Sequence, residues 1–341
     1  REPASRVIFL YPTRATATEG FRDYVSWAPE AEAALAHGTA AYDLEGMFDQ
    51  PHDEKFGKHF STEDRLYALG YWHRRIFSAT VDQFLGFMQH VYRSVCLLPL
   101  LADSVVVFDE VHSFDKNLFS ALKRFLKTFD IPALCMTASL PSERRKELTE
   151  DCGLQLFPSD GVRFSDLEEK AAMPRYRVRR IEPDDAEIIA LEAFHSGKRV
   201  LWVVNTVARC QELSKRLAAL CYHSRYRLKD RKLRHEAVVR AFQTQGEPVL
   251  AITTQVCEMS LDLDADALLS EVAPITSIIQ RMGRCRRHAE PGDGDLGEVY
   301  IYRSEDEKPY DPADLAGVHE FLDAIHGRDM SQNQLSALLE A

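Results

Sequence analysis

Val105-Val106-Val107-Phe108-Asp109-Glu110-Val111-His112 is the stretch that decides the fold: an apolar run of four residues followed directly by two carboxylates. An apolar run without alternation predicts a strand buried on both faces, as in a parallel sheet covered by helices. Two more runs have this form, since Val7–Leu10 ends in Tyr11-Pro12-Thr13 and Ala133–Met136 ends in Thr137-Ala138-Ser139. Polar residues thus follow each of these strands, which is where open parallel sheets bind ligands.

The alternation of strands and amphipathic helices runs through most of the chain and restarts after a polar joint at 175–185. It predicts an α/β fold of two parallel-sheet domains, 1–175 and 180–303, followed by a helical tail or linker at 304–341. Residues 43–75, rich in aromatic, histidine and charged residues, are predicted to be an insertion. The predicted elements of the second half are strands Val200–Val204, Val249–Thr253, Ala267–Val272 and Leu296–Tyr302, and helices Ala186–His195, Val207–Leu220, Ile275–Met282, Leu315–Ile325 and Leu335–Leu339.

Length and composition exclude several classes of protein. A chain of 341 residues suits two domains, and 45% hydrophobic with 28% charged residues is typical of globular proteins. No apolar run approaches the roughly 18 residues of a membrane span. A net charge of −11 disfavours a simple nucleic-acid clamp without excluding local basic surfaces. Seven cysteines without a CxxC pair predict reduced thiols and a cytoplasmic location.

The acidic pair Asp109-Glu110 predicts a magnesium site, because Mg²⁺ needs few carboxylates when substrate phosphates complete its shell. An ordinary surface turn with two acids is the alternative. The segment Thr137-Ala138-Ser139 offers two hydroxyls after the next strand and could couple to that site. Taken alone, it is more typical of a helix N-cap.

Four arginines lie within seven residues of the stretch Gln280–Arg287, around Gly283. Such crowding favours an anion partner, and guanidinium groups suit the charge that develops on a transferring phosphoryl group. The alternative is a solvated basic helix end. A second basic stretch, Tyr222–Arg240, carries seven Lys and Arg against two acids. It could line a groove for a nucleic-acid backbone, or form a solvated helix face.

Together these stretches resemble the DExH-box helicases of superfamily 2, in a likeness that covers residues 7–303. The matching segments are Tyr11–Arg14 for motif Ia, Thr80–Gln83 for motif Ic, Asp109–His112 for motif II, Thr137–Ser139 for motif III in inverted order, Asn205-Thr206 for motif IV, Thr253–Asp262 for motif V and Gln280–Arg287 for motif VI. The resemblance implies two tandem RecA-like domains with an ATP cleft between them.

Three segments are similar to the type I CRISPR-associated helicase–nuclease family: Asp109–Asp115, Thr254–Asp262 and Ala273–Ile275. This resemblance implies ATP-driven 3′-to-5′ movement on single-stranded DNA exposed by a Cascade-type surveillance complex. A nuclease domain in the same or another chain is a further implied partner. The cofactors implied are ATP and Mg²⁺.

The resemblance also implies roles for individual residues. Asp109 and Glu110 would hold the metal, with Glu110 activating the attacking water. The other implied catalytic residues are His112, Gln280, Arg284 and Arg287; Asp262 and Gly283 would bind the nucleotide; Thr137, Ala138 and Ser139 would couple hydrolysis to movement. Nucleic-acid contacts would come from Thr13, Arg14, Thr80, Asn205, Thr206, Arg225, Arg227, Thr253 and Thr254.

Two expected features do not occur in the sequence. No Gly-x-x-x-x-Gly-Lys-Ser/Thr phosphate loop is present, and neither Gly57-Lys58 nor Gly197-Lys198 is followed by a hydroxyl residue. We expect that loop upstream of Arg1, so that the sequence begins inside the first domain. The family's histidine–aspartate nuclease motif is only faintly echoed by His52-Asp53. Two alternatives therefore stay open: another DExH DNA or RNA helicase, and a catalytically inactive nucleic-acid-binding module.

Overall fold

The computed structural model describes residues 4–13, 17, 33–36, 74–89, 92–137, 140–158, 164–244, 246–258, 261–304 and 306–340. Its contacts divide the chain into two compact units, Arg1–Asp160 and Gly161–Ala341. Most of the predicted insertion at 43–75 lies outside the described residues.

The first unit contains a five-stranded parallel sheet in the order β2-β3-β1-β4-β5. Continuous apolar runs form its central strands, and Ile8, Leu10, Val106 and Phe108 are all fully buried. Its elements are β1 (Arg6–Tyr11), β2 (Ala33–Ala36), β3 (Ile76–Thr80), α1 (Val81–Phe84), 3₁₀ helices Leu85–Gln89, Tyr92–Asp103 and Val111–Ser113, β4 (Ser104–Phe108), α2 (Lys116–Thr128), β5 (Ala133–Cys135), α3 (Ser142–Lys146) and the π-helical turn Glu147–Asp151.

The second unit contains a seven-stranded sheet in the order β12-β6-β11-β10-β7-β9-β8, parallel except for the β12–β6 pair. Its elements are α4 (Ser165–Ala172), β6 (Pro174–Arg180), α5 (Asp185–His195), β7 (Arg199–Val203), α6 (Val207–Arg216), β8 (Leu220–Tyr222), α7 (Leu228–Gln243), β9 (Val249–Thr253), the 3₁₀ helix Gln255–Cys257, β10 (Ala267–Glu271), α8 (Ile275–Met282), β11 (Gly297–Tyr302), α9 (Val318–Ile325), β12 (Asp329–Ser331) and α10 (Gln332–Glu340).

Both faces of this second sheet are covered by apolar residues. Along β7, Leu201 and Val203 join one buried cluster while Val200 and Trp202 join another. Because successive side chains of a strand point to opposite faces, both faces of β7 must be packed. The two sheets, parallel except for the β12–β6 pair, confirm the predicted α/β class with two tandem RecA-like domains.

The structure corrects one predicted helix. The segment Val207–Leu220 was expected to be helical throughout, but α6 ends at Arg216 and β8 begins at Leu220. Ala218 has a positive φ of 50°, a left-handed conformation that stops an α-helix. By contrast, the predicted end of α5 at His195 is confirmed, and Gly197 shortly after it has a φ of 89°.

The C-terminal segment differs from a purely helical tail. Its two helices, α9 and α10, lie near the predicted positions, but β12 between them pairs with β6 at the sheet edge. Val318, Phe321, Leu322 and Ile325 of α9 are buried in the cluster that also covers β6 and β11. The segment is therefore an integral part of the second unit. Among the described helices, none is long and apolar enough to cross a membrane.

Candidate active site

The acidic pair lies at the carboxyl end of β4, beside the end of β1. The backbone N–H of Asp109 donates to the carbonyl of Leu10 at 2.8 Å, which anchors the pair to the central strands. Glu110 adopts a left-handed conformation, with φ 50° and ψ 45°, and its N–H donates to Asp109 Oδ1 at 2.9 Å. A non-glycine residue held in this conformation costs about 1–3 kcal/mol, a strain that clusters at functional sites.

The electrostatics of the pair suit a divalent cation. Burial and the neighbouring Glu110 charge raise the pKa of Asp109 above its usual value. A bound cation would favour the charged form of the carboxylate and relieve that cost. No group of three or more His, Cys, Asp or Glu side chains converges within the described part of the chain. The two carboxylates of Asp109 and Glu110 are the kind of donors that Mg²⁺ takes, with waters and substrate phosphates completing its shell.

His112 connects the acidic pair to the end of the neighbouring strand β5. Its Nδ1 lies 3.1 Å from Thr137 Oγ1 and 3.2 Å from Glu110 Oε2, and its side chain is 8% exposed. Burial lowers the pKa of His112, which favours the neutral ring. Arg144 of α3 braces this turn by donating to the carbonyl of Phe114 at 2.8 Å. The other two residues predicted for coupling, Ala138 and Ser139, lie outside the described residues.

The arginine stretch forms α8 and the turn after it, in the second unit. Ile278 and Met282 of this helix are buried, and Arg281 on the same face is fully buried. All five N–H directions of the Arg281 guanidinium are used, which is its full donor capacity. The contacts are Nε to Glu258 Oε1 at 2.8 Å, Nη1 to Ser270 Oγ at 2.9 Å and to the Glu271 carbonyl at 3.1 Å, and Nη2 to Asn205 Oδ1 at 3.0 Å and to Tyr310 Oη at 3.1 Å.

Arg281 is a residue that sequence reasoning missed. Burial disfavours its charge, but the Glu258 carboxylate and its other partners hold the pKa of Arg281 above its usual value. The signal was available, because Ile278, Arg281 and Met282 share the i, i+3, i+4 face of one helix. The resemblance instead implied catalytic roles for Arg284 and Arg287 and none for Arg281.

The arginines predicted to be catalytic are placed differently from Arg281. Arg284 Nη2 donates to the carbonyl of Glu258 at 2.5 Å. Arg287 is exposed, and its Nε lies 3.0 Å from Asp262 Oδ1, while its backbone N–H donates to Asp264 at 2.7 Å. The structure therefore brings together Arg287 and Asp262, both predicted site residues.

Gln280 and Gly283 complete this part of the predicted site. Gln280 is half-buried on α8. Gly283 ends the helix, and a Cβ on it would lie 3.2 Å from the Gln280 carbonyl, so that a larger residue would be crowded there.

The predicted nucleic-acid residues fall into two groups. Thr80, Asn205, Thr253 and Thr254 are buried at strand ends, and Asn205 is engaged within the protein through the carbonyl of Val272 and through Arg281. The other described residues are half-buried or exposed: Thr13 after β1, Thr206 before α6, and Arg225 and Arg227 before α7. The Thr206 hydroxyl accepts from the backbone N–H of Arg209 at the start of α6. Arg14 lies outside the described residues. The nucleic-acid assignments stay predictions.

Comparisons with known proteins agree with this architecture. Residues 196–290 match the family model of the CRISPR-associated nuclease/helicase Cas3, C-terminal. A protein of Myxococcus xanthus assigned to CRISPR-associated nuclease/helicase Cas3 is 38% identical over 98% of this chain and 45% of its own length. The crystal structure of T. fusca Cas3 with ADP superposes with a TM-score of 0.71 at 21% identity, covering 98% of this chain and 46% of that one.

A further structural neighbour belongs to a "CRISPR RNA-guided surveillance complex, pre-nicking", with a TM-score of 0.63, 19% identity and coverage of 99% of this chain and 49% of that one. Fold, motif residues and these matches define the chain as a superfamily 2 helicase core. Within that superfamily it is similar to the helicase region of the CRISPR-associated nuclease/helicase Cas3 proteins, which confirms the resemblance seen in the sequence. The chain spans less than half the length of the M. xanthus relative.

Proposed function

We propose that this chain is an ATP-dependent 3′-to-5′ single-stranded DNA translocase or helicase that acts in CRISPR interference on DNA exposed by a Cascade-type surveillance complex. The observation that carries the proposal is the acidic pair at the end of β4, linked through His112 to Thr137 at the end of β5. An ordinary surface turn needs neither the strained Glu110 nor the buried histidine. The CRISPR context is supported by the similarity to Cas3 proteins.

The described residues fit the chemistry of phosphoryl transfer. Bound ATP with Mg²⁺ would supply the transferable phosphoryl group and offset its negative charge. Asp109 would hold the metal through its carboxylate, and Glu110 would orient the attacking water and accept its proton. His112 would relay the state of the acidic pair to Thr137. Arg284 and Arg287 would contribute the positive charge that phosphoryl transfer requires.

ATP hydrolysis by the full-length protein, with and without single-stranded DNA, tests the proposal. Glu110→Gln keeps the shape of the side chain but removes its basicity, and we expect kcat to fall by roughly 10²–10⁴-fold, the usual contribution of a general base. Glu143→Gln, an exposed change in the same unit, is the matched control and should match the wild type. Unaltered turnover in Glu110→Gln would overturn the assignment of Glu110.

The arginine assignment has its own matched pair of variants. Arg287→Ala should abolish turnover while leaving weak DNA binding. Arg286→Ala, which removes the neighbouring arginine and its long contact of 3.7 Å with Asp293, should keep most of the activity. Equal activity in the two variants would refute a special role for Arg287.

Nucleic-acid preference separates the alternatives. Stronger stimulation of ATP hydrolysis by RNA than by DNA would favour a DExH RNA helicase. DNA binding without any ATP hydrolysis would favour an inactive binding module. Unwinding of duplexes with a single-stranded tail on one side only would determine the direction of movement, and a purified Cascade-type complex bound to target DNA would test the proposed partner.

A further inference from the structure

Tyr310 lies outside every helicase motif, yet its hydroxyl contacts residues of two of them. It follows β11 in the segment 306–310, and its Oη accepts from Arg281 Nη2 at 3.1 Å and from Gln255 Nε2 at 3.4 Å. Gln255 belongs to the motif V stretch, and its Nε2 also donates to the carbonyl of Asn205 at 2.9 Å. One phenol thus joins Arg281, Gln255 and, through them, the end of β7.

The segment that carries Tyr310 is itself held in place. Arg209 of α6 donates through Nη1 to Asp306 Oδ1 at 2.7 Å, and its Nη2 donates to the carbonyl of Lys308 at 3.4 Å. Arg209 also pairs with the buried Glu271 at the end of β10, with Nε 2.7 Å from Oε1. Tyr310 is therefore presented to the interior from a segment fixed at two points.

The contacts of Arg281 continue to one of the arginines predicted to be catalytic. Arg281 Nε bonds the side chain of Glu258, while Arg284 Nη2 bonds the backbone carbonyl of the same residue. The position of Glu258 consequently depends on the orientation of Arg281 and in turn determines where Arg284 is held. The Tyr310 hydroxyl accepts from Nη2 while Glu258 accepts from Nε, so that two different nitrogens of the guanidinium are held and its rotation is limited.

We propose that Tyr310 is a positioning residue for the arginine motif Gln280–Arg287: its hydroxyl orients Arg281 and, through Glu258, holds Arg284 in the geometry needed for turnover. The catalytic part of this inference rests on the proposed ATPase function. Removing the hydroxyl leaves Arg281 buried with one donor unpaired, so the guanidinium turns toward its remaining partners. Displacement of a catalytic group by about an ångström can cost about a hundredfold in rate. Loss of the single Tyr310 hydrogen bond displaces Arg284 by less than that, so the expected loss of rate is smaller.

Tyr310→Phe in the full-length protein is the test, with Tyr302→Phe as the matched control. Tyr302 is a buried tyrosine at the end of β11 whose hydroxyl accepts from Trp202 Nε1 at 2.8 Å, and no hydrogen bond from Arg281 to Tyr302 is seen among the described contacts. We expect kcat for DNA-stimulated ATP hydrolysis to fall about tenfold in Tyr310→Phe with KM for ATP little changed, the pattern of an interaction lost in the transition state. The control should keep wild-type kcat.

A second readout needs no nucleotide. Amide hydrogen exchange of the free protein should become faster in 255–258 and 280–287 in Tyr310→Phe and should stay unchanged there in Tyr302→Phe. Equal exchange and equal kcat in the two variants would overturn the inference. If the wild type shows no DNA-stimulated ATP hydrolysis, the proposed function fails, and the exchange comparison alone still decides whether Tyr310 positions the motif.

A third variant covers the case in which Tyr310→Phe does not fold. Asp306→Ala removes an exposed carboxylate that anchors the segment to Arg209, and Asp306 is not one of the residues to which Arg281 donates in the contacts described above. If the segment positions Arg281, exchange in 280–287 should rise and kcat should fall by a smaller factor than in Tyr310→Phe. Wild-type exchange and wild-type kcat in Asp306→Ala would then count against the inference.

Discussion

Replacing Arg281 by methionine keeps the volume of the side chain roughly constant while removing all five of its hydrogen bonds. The Glu258 carboxylate, 11% exposed, would keep only the hydroxyl of Ser277 at 3.1 Å among its described side-chain contacts. The side-chain oxygens of Asn205 and Ser270 would lose the donor that they share. Breaking one partner out of a buried ion pair costs about 3–5 kcal/mol, because the remaining charge is left without compensation.

Urea unfolding measures this cost. In a protein of residues 1–341 with Trp27 and Trp72 replaced by Phe, the fluorescence of Trp202, buried in β7, reports on the second unit alone. At an m-value of about 2 kcal/mol/M, a loss of about 3–5 kcal/mol moves the midpoint down by about 1.5–2.5 M. The control is Arg216→Met, which removes a surface ion pair with Glu187 whose side chains are 51% and 36% exposed. Such pairs contribute about 0–1 kcal/mol. Equal midpoints for the two variants would refute the view that Arg281 holds the unit together.

Two further predictions concern the second unit. Arg199 donates to the Asp266 carboxylate through its backbone N–H and its guanidinium. Burial opposes the charge of this carboxylate, but the bonds from Arg199 outweigh that effect and lower the pKa of Asp266. The stabilisation from Asp266 is therefore present above its unfolded pKa of about 4 and is lost as pH falls through the lower native pKa. Asp266→Asn should therefore lower the melting temperature at pH 7 and progressively less so in acid, and a constant difference at every pH would contradict this linkage. Gly297→Ala places a Cβ 2.6 Å from the Sγ of buried Cys285, and we expect a loss of about 1–3 kcal/mol in thermal or urea unfolding, whereas Gly294→Ala, with open space around it, should be neutral.

The sequence predicts the sheets well because their signal is local. A strand such as β9 is apolar in its first four residues, with all five residues buried, and α8 begins and ends where its periodicity predicts. The strand β8 was missed because it has only three residues and follows an amphipathic helix without a glycine or proline between them. A left-handed Ala218 marks that boundary in the structure, and alanine gives no sequence signal for such a turn.

Residues of the candidate site could be predicted where charged side chains directly follow a buried strand. Asp109 and Glu110 were identified because their position after β4 and their charge point to the same role. The Arg281 contacts were not, since Glu258, Asn205 and Tyr310 are separated by up to 105 positions in the chain and only tertiary structure brings them to one guanidinium. Tyr310 in particular belongs to a segment that carries no motif.

The pairing of β12 with β6 has a practical consequence for anyone dividing this chain. A fragment that stops after β11 would leave the backbone N–H and carbonyl groups on the outer side of β6 without their partner strand. It would also uncover the face that Val318, Leu322 and Met330 protect. Open strand edges of this kind template intermolecular pairing and aggregation. Expression of the second unit in soluble form therefore requires a C-terminal boundary at or beyond residue 340.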